Sequence, residues 1–360
     1  MNAFKRVVDQ RGQKEGGTVP PAAQTPAISM MHKALMVLDD RSAGLIYGEE
    51  LCKEIGRRTD LLAPHLTKDA VMLRPELLSE VEVIFSGWGA PHMDEAFLAK
   101  APRLKAVFYG AGSIRQITTD AFWARGVTIS SAYAMNAIPV AEYTLATILF
   151  SLKRGWYHAS ETRRRGALPP RANVAGAFGS VVGLVSLGMV GRLVRERLRP
   201  FDLEVLAFDP FVTAEQATAL DVEMVSLGEI FRRSDVVSLH TPWLKETEGM
   251  VHREHFIQMR SGATFINSAR GAVVNESDLI EVLSQRADLT AVLDVTWPEP
   301  PVPGSPLFTL PNVVLTPHIA GSMDKECLRM GRCMLDEFDR WTRGEPLKWA
   351  ISKERAAVLA

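Results

Sequence analysis

A chain of 360 residues with 47% apolar side chains is too long for one ordinary core, which suggests two domains or three. Its 41 Lys and Arg against 42 Asp and Glu leave a net charge of −1, so there is no broad field to draw in nucleic acid or an anionic membrane. Only Cys52, Cys327 and Cys333 occur, with no Cys-x-x-Cys pair, which argues against a disulfide framework and for a reducing, cytoplasmic setting.

Residues 1–30 mix Gly, Pro, Gln and charge and lack the apolar core of a secretory signal; they read as a disordered tail without a catalytic role. From His32 onward the runs Ala34–Leu38, Val81–Phe85, Ala106–Tyr109 and Val127–Ile129 look like buried strands separated by helical patterns. A long helix is predicted over Val140–Arg154, with Pro139 just ahead of it, where a proline suits a helix start. Its apolar stretch Tyr143–Leu152 is about ten residues, too short to span a bilayer. Gly155–Gly179 reads as a connection, with Arg163, Arg164 and Arg165 in a solvated loop. A second series starts at Val181, with strands expected at Val181–Val185, Glu204–Phe208, Val236–Leu239, Thr264–Asn267, Thr290–Leu293 and Val313–Leu315. His252 and His255 flank Glu254 but have no evident third ligand, so no metal is expected. A last helix, about Met323–Arg343, carries Cys327 and Cys333, which read as core residues. The alternation defines an α/β chain with parallel sheets flanked by helices.

The segment Val181–Gly191 runs an apolar strand into a glycine-containing turn and then a helix. Such a turn points free N–H groups and the positive helix end at a diphosphate. Gly188 would let the phosphates approach closely, and Gly191 would let the helix pack tightly on the strand, with Met189 and Val190 between them in the cofactor contact. Ser186 stands where a first glycine is usual, which is feasible if its φ is negative. Asp209 follows Gly188 by 21 residues, at the end of the next strand. An acid there can accept bonds from the adenosine ribose hydroxyls and would repel a 2′-phosphate, so the reading is NAD rather than NADP. A strand-end Asp-Pro turn is the plainer alternative for Asp209.

Three later strands end in polar groups: Asn267–Gly271, Asp294–Pro300 and Thr316–Gly321. In an open parallel sheet these ends converge on one crevice with the Gly188 turn. Arg270 offers a planar, permanent charge for the carboxylate and carbonyl of a 2-oxo acid. His318 can protonate the oxyanion left by hydride addition and take the proton back in reverse. Glu299 would favour the charged imidazole and fix its tautomer. Singly, each residue also has a structural reading: a strand-end ion pair for Arg270, a loop acid for Glu299, a satisfied histidine for His318.

Taken together, the segments resemble the D-isomer-specific 2-hydroxyacid dehydrogenase family. The resemblance rests on Asn267-Ser268-Ala269-Arg270-Gly271, Leu293-Asp294-Val295 with Glu299-Pro300, Pro317-His318-Ile319-Ala320-Gly321, Val140-Ala141-Glu142 and His240-Thr241-Pro242, in order within about residues 80–325. It implies an NAD-dependent oxidoreductase acting on a small D-2-hydroxy acid or 2-oxo acid, with Arg270, Glu299 and His318 as the catalytic set. It also implies that Asp294, Ser268, Ala269 and Arg270 face the nicotinamide and that Thr241 and Pro242 border the adenosine. N–H groups centred on Ala111 and Gly112 would hold the substrate carboxylate, and Trp88 falls in a loop that faces the substrate in relatives. Ser113, Ile114 and Arg115 stand where relatives often carry an Asp, so substrate preference does not carry over. The implied architecture is two Rossmann-like domains. A flavodoxin-like substrate domain comprises residues 31–138 plus 325–360, and an NAD-binding domain, 139–324, is inserted in it. The two long helices would form the hinge, and the resemblance implies a homodimer through the cofactor domain. Two other readings share the scaffold: an NAD(H)-sensing interaction protein of the corepressor kind, and a family member that uses formate or phosphite as donor.

Overall fold

The computed structural model describes residues 31–171 and 174–358; the predicted tail over residues 1–30 lies outside the described residues. Two sheets, parallel throughout, organise the chain. The first contains β1 (Lys33–Val37), β2 (Asp60–Leu61), β3 (Val83–Ser86), β4 (Ala106–Tyr109) and β5 (Thr128–Ser131), in the order β2-β1-β3-β4-β5. This is the flavodoxin-like order. The second contains β6 (Ser180–Val185), β7 (Leu203–Phe208), β8 (Glu223–Met224), β9 (Val236–Leu239), β10 (Thr264–Asn267), β11 (Thr290–Leu293) and β12 (Val313–Leu315). Its order, β12-β11-β10-β9-β6-β7-β8, is that of dinucleotide-binding sheets with one strand added.

Both faces of each sheet are covered, which is why the strands read as continuous apolar runs. In the first sheet Leu35, Val37, Ile84, Val107 and Ile129 point into one core. Ala34, Met36, Phe85 and Phe108 alternate with them into another, which holds Met330, Met334 and Phe338 of the helix Cys327–Thr342. The Phe338 ring sits 5.3 Å from Phe85 and 5.7 Å from Phe108, edge to face. Cys327 and Cys333 are free thiols buried in this packing. In the second sheet Leu184, Ala207, Val236, Ile266 and Val292 meet Ala141, Ile148 and Leu152 of the long helix.

Ten strands fall where the sequence places them, to within a residue or two at the ends. The expectation missed β2 and β8, each two residues long and each at a sheet edge, and the short helix Lys353–Val358. The long helix spans Tyr133–Leu152, seven residues earlier than expected, and Pro139 lies inside it. Proline removes one i→i−4 bond, yet Ala134, Ala137, Val140 and Ala141 around it are all buried, and this tertiary packing overrides the local signal. At 20 residues this helix is long and apolar enough to cross a membrane, which the apolar stretch alone did not suggest; half of its apolar window is buried inside the protein. Arg163, Arg164 and Arg165 end a helix, Gly155–Arg165, rather than lying in a loop.

Gly331 marks the closest approach of the helix Cys327–Thr342 to the turn Ala43–Tyr47: a Cβ there would lie 2.0 Å from Ile46 O. Gly331→Ala is therefore expected to lower the unfolding free energy by about 1–3 kcal/mol, the usual cost of overpacking, read as a fall in the urea midpoint.

Candidate active site

The turn after β6 is shaped by hydrogen bonds of its backbone N–H groups that leave Gly188 open. Ser186 N donates to Phe208 O at 2.7 Å, and Leu187 N donates to Asp209 Oδ2 at 2.7 Å. Ser186 adopts φ +76°, in the region that favours glycine, so the condition of a negative φ set for a serine there is not met and the turn forms all the same. Its Oγ lies 2.8 Å from Thr241 Oγ1, a bond that holds this strained residue in place and that glycine could not make. Gly191 is required by close packing, since a Cβ there would sit 2.2 Å from Ser186 O. A Cβ on Gly188 would meet nothing within 4 Å, because it faces the cleft. No side chain caps the helix Met189–Leu198, and among the described residues the N–H groups of Gly188, Met189 and Val190 have no acceptor. This open cradle at a helix start fits a dinucleotide diphosphate.

The cradle opens into a cleft of about 210 Å³. Gly188, Met189, Val190, Thr241, Pro242, Ser268, Ala269 and Arg270 line it, as does Gly112 on the loop after β4. Ser131 Oγ shares its one hydrogen between Ala111 O and Gly112 O, at 2.8 and 2.6 Å, fixing that loop. Among the described residues the N–H groups of Gly112 and Ser113 have no acceptor. Ala111 itself is fully buried. Trp88 is partly exposed outside the lining, its carbonyl accepting from Asp39 N at 3.1 Å. Asp209 also lies outside the lining, with Oδ1 accepting from Phe211 N at 2.8 Å. A carboxylate oxygen has a second lone pair, so both of its oxygens keep acceptor capacity.

Asn267 shapes the loop after β10: its Nδ2 donates to Arg270 O and its Oδ1 accepts from Ala269 N, both at 3.0 Å. Gly271 lets that loop approach the next one, since a Cβ would lie 2.0 Å from the Thr296 carbonyl carbon. Arg270 Nη1 donates to Ala269 O at 2.7 Å. Burial pushes the Arg270 pKa down, the nearby Glu299 charge opposes this, and Arg115 adds to it. His318 Nδ1 donates to Glu299 Oε1 at 2.6 Å, the short geometry of a charge-assisted bond. Both side chains are substantially exposed, at 50% and 40%. His318 has φ +54°, and its N–H donates to Asp294 O and Thr316 O.

Three polar residues outside the sequence-predicted site tie these loops to the long helix. Tyr143 Oη lies 2.9 Å from Thr316 Oγ1, Thr144 Oγ1 lies 3.2 Å from Ser268 Oγ, and Asn136 Oδ1 accepts from Ser322 N at 2.8 Å. His252 and His255 bond to each other through His252 N and His255 Nδ1; among the described residues no group of three or more His, Cys, Asp or Glu could hold a metal.

A flavodoxin-like sheet, a dinucleotide-type sheet and a cleft that carries a diphosphate cradle define the chain as a two-sheet dinucleotide-binding protein. Residues 146–320 match the model of the D-isomer specific 2-hydroxyacid dehydrogenase NAD binding domain. The chain is 32% identical over 250 residues to (S)-sulfolactate dehydrogenase from Chromohalobacter salexigens, covering 69% of this chain and 81% of that one. It is 31% identical over 285 residues to D-3-phosphoglycerate dehydrogenase from Archaeoglobus fulgidus, covering 78% of this chain and 54% of the relative. The chain thus spans about half the length of that relative. The crystal structure of the TT0316 protein from Thermus thermophilus superposes with a TM-score of 0.70 at 27% identity, over 89% of this chain and 99% of the other. The apo form of Rhodotorula graminis D-mandelate dehydrogenase shares the fold, with a TM-score of 0.75 at 24% identity over 90% and 98%. The chain belongs to the D-isomer specific 2-hydroxyacid dehydrogenase family, and its cofactor is NAD.

His240, beside Thr241 in the cleft lining, is largely enclosed, with Nε2 3.1 Å from Ser238 Oγ and, among the described residues, no partner for Nδ1. Burial pushes its pKa down to about 4. Between its ordinary value near 6.5 and this one, the unfolded chain binds a proton that the folded chain refuses, so stability is present above about pH 6.5 and is lost as the pH falls toward about 4. The loss assignable to this ring is about 3 kcal/mol. Urea unfolding at about pH 7 and about pH 4 should show a smaller pH-dependent loss in His240→Gln than in the parent protein.

Proposed function

We propose that the protein is a dehydrogenase that interconverts a 2-oxo acid and the corresponding D-2-hydroxy acid. The observation that carries this reading is the 2.6 Å His318–Glu299 bond, made between the loops after β12 and β11, with Arg270 lining the cleft from the neighbouring loop after β10. NAD, when bound, supplies or accepts the hydride at the carbon that bears the oxygen. Arg270 holds the substrate carboxylate and polarises the adjacent carbonyl, its charge strengthened by burial. The N–H groups of Gly112 and Ser113 hold the same carboxylate. His318 keeps Nδ1 on Glu299 and presents Nε2 to the substrate oxygen, giving a proton in reduction and taking it in oxidation. Glu299 stabilises the imidazolium and fixes the ring. Asp209 accepts from the adenosine ribose and repels a 2′-phosphate.

Residues 31–138 with 325–360 act as a substrate domain and 139–324 as a cofactor domain, hinged on the helices Tyr133–Leu152 and Cys327–Thr342. The protein works as a homodimer in the cytoplasm; exposed Phe150, Leu168 and Phe178 near the Gly155–Arg165 helix support a subunit contact there, and three free cysteines fit a reducing compartment. Its partner is a small acid rather than nucleic acid or membrane, consistent with the near-zero net charge.

His318→Ala should lower kcat with a 2-oxo acid by about 10²–10⁴-fold while NADH affinity, read by fluorescence titration, stays within about two-fold of the parent. Full turnover by His318→Ala would refute the role. In parallel assays NADH should be preferred to NADPH, and Asp209→Ala should narrow that preference; a clear NADPH preference in the parent contradicts the role of Asp209.

A further inference from the structure

One wall of the cleft comes from residues 351–358, far from every motif of the family. Glu337, 1% exposed, accepts from Lys348 N at 3.1 Å and Trp349 N at 2.9 Å, turning the chain back onto the first sheet. Ser131 N then donates to Trp349 O at 3.3 Å and Ile351 N to Ile129 O at 3.0 Å, so the segment runs along the edge of β5. The helix Lys353–Val358 is pinned at several points. Lys353 pairs with Asp120 at 2.6 Å, and Arg355 donates to Tyr133 Oη with its guanidinium carbon 5.4 Å from that ring centre. Arg115, on the substrate loop, donates to Ala357 O at 3.1 Å and to Trp243 O, on the loop after β9, at 2.8 Å. Trp243 in turn meets the ring of Trp297, two residues before Glu299, at 4.5 Å. Ile351, Ala356 and Val358 thereby face the cleft beside Ile114 and Arg115.

We propose that the segment Ile351–Val358, locked by Arg115, is the wall that selects the substrate side chain, and that it selects 2-oxo acids with an apolar substituent over those with a second anionic group. The inference rests on the 2-oxo acid reading above. With the substrate carboxylate on Arg270 and the Gly112–Ser113 N–H groups, the substituent is left facing Ile351, Ala356 and Val358. An apolar group gains contact there. A second anionic group would lose water against aliphatic side chains, where burial without a partner is costly. The cations of the wall are turned to other tasks: Lys353 to Asp120, Arg355 to Tyr133, Arg115 to two carbonyls.

The test compares glyoxylate, phenylpyruvate and phosphohydroxypyruvate with NADH as reductant, using the full chain. Phenylpyruvate should exceed phosphohydroxypyruvate in kcat/KM by about ten-fold or more. In Ala356→Trp the phenylpyruvate-to-glyoxylate ratio of kcat/KM should fall by about ten-fold or more, and Val358→Trp, at an exposed position that folding tolerates, should shift the ratio in the same direction. A preference for phosphohydroxypyruvate, or an unchanged ratio in both variants, overturns the wall assignment while leaving the 2-oxo acid reading intact. Failure to turn over any of the three acids, with NADH still bound, defeats the 2-oxo acid reading and this inference with it.

Discussion

Asp294, 2% exposed at the end of β11, accepts three hydrogen bonds from the segment after β12: from Thr316 Oγ1 at 2.6 Å, Ile319 N at 2.9 Å and Ala320 N at 2.8 Å. His318 lies between those donors, and its own N–H donates to Asp294 O. The residue is thus held from both sides in a left-handed conformation, φ +54°, that it would not adopt unaided. A buried carboxylate with three donors is well satisfied, whereas the same carboxylate with a donor removed leaves a costly vacancy. This arrangement converts a flexible loop into a fixed platform, and the direction of the imidazole toward Glu299 follows from it.

The platform is tied in turn to the helix Tyr133–Leu152. Asn136 and Tyr143 are seven residues apart, two turns along, and so share one face. One takes the N–H of Ser322, after His318, and the other contacts Thr316, before it. Thr144, next along, reaches Ser268 on the Arg270 loop. A single rigid element therefore sets the positions of the loops that carry Arg270 and His318. Pro139 sits between these contacts, which accounts for a helix continuing through a residue that locally argues for a boundary.

The strands were legible because parallel strands buried on both faces leave unbroken apolar runs, and the strand-end motifs were legible because each is a contiguous string such as Asn267–Gly271. The two-residue strands β2 and β8 carry too few side chains for any periodicity. The positive φ at Ser186 is accompanied by a hydroxyl contact to Thr241, 55 residues away, which the local sequence does not report. Asn136 looks like a lone polar residue on an apolar helix, because its partner Ser322 is 186 residues distant. The roles that escaped the sequence are those made by long-range hydrogen bonds from single residues.

The site divides its charges by depth. Arg270 lies in a setting dry enough to lower its pKa, so its charge is weakly screened. Glu299 is close enough to offset part of that penalty, although among the described residues it forms no ion pair with Arg270. The His318–Glu299 pair is half-exposed and lies outside the residues that line the cleft. A buried cation and a half-exposed imidazole–carboxylate pair are compatible demands only if separate loops supply them. The parallel sheet provides this by ending β10, β11 and β12 side by side.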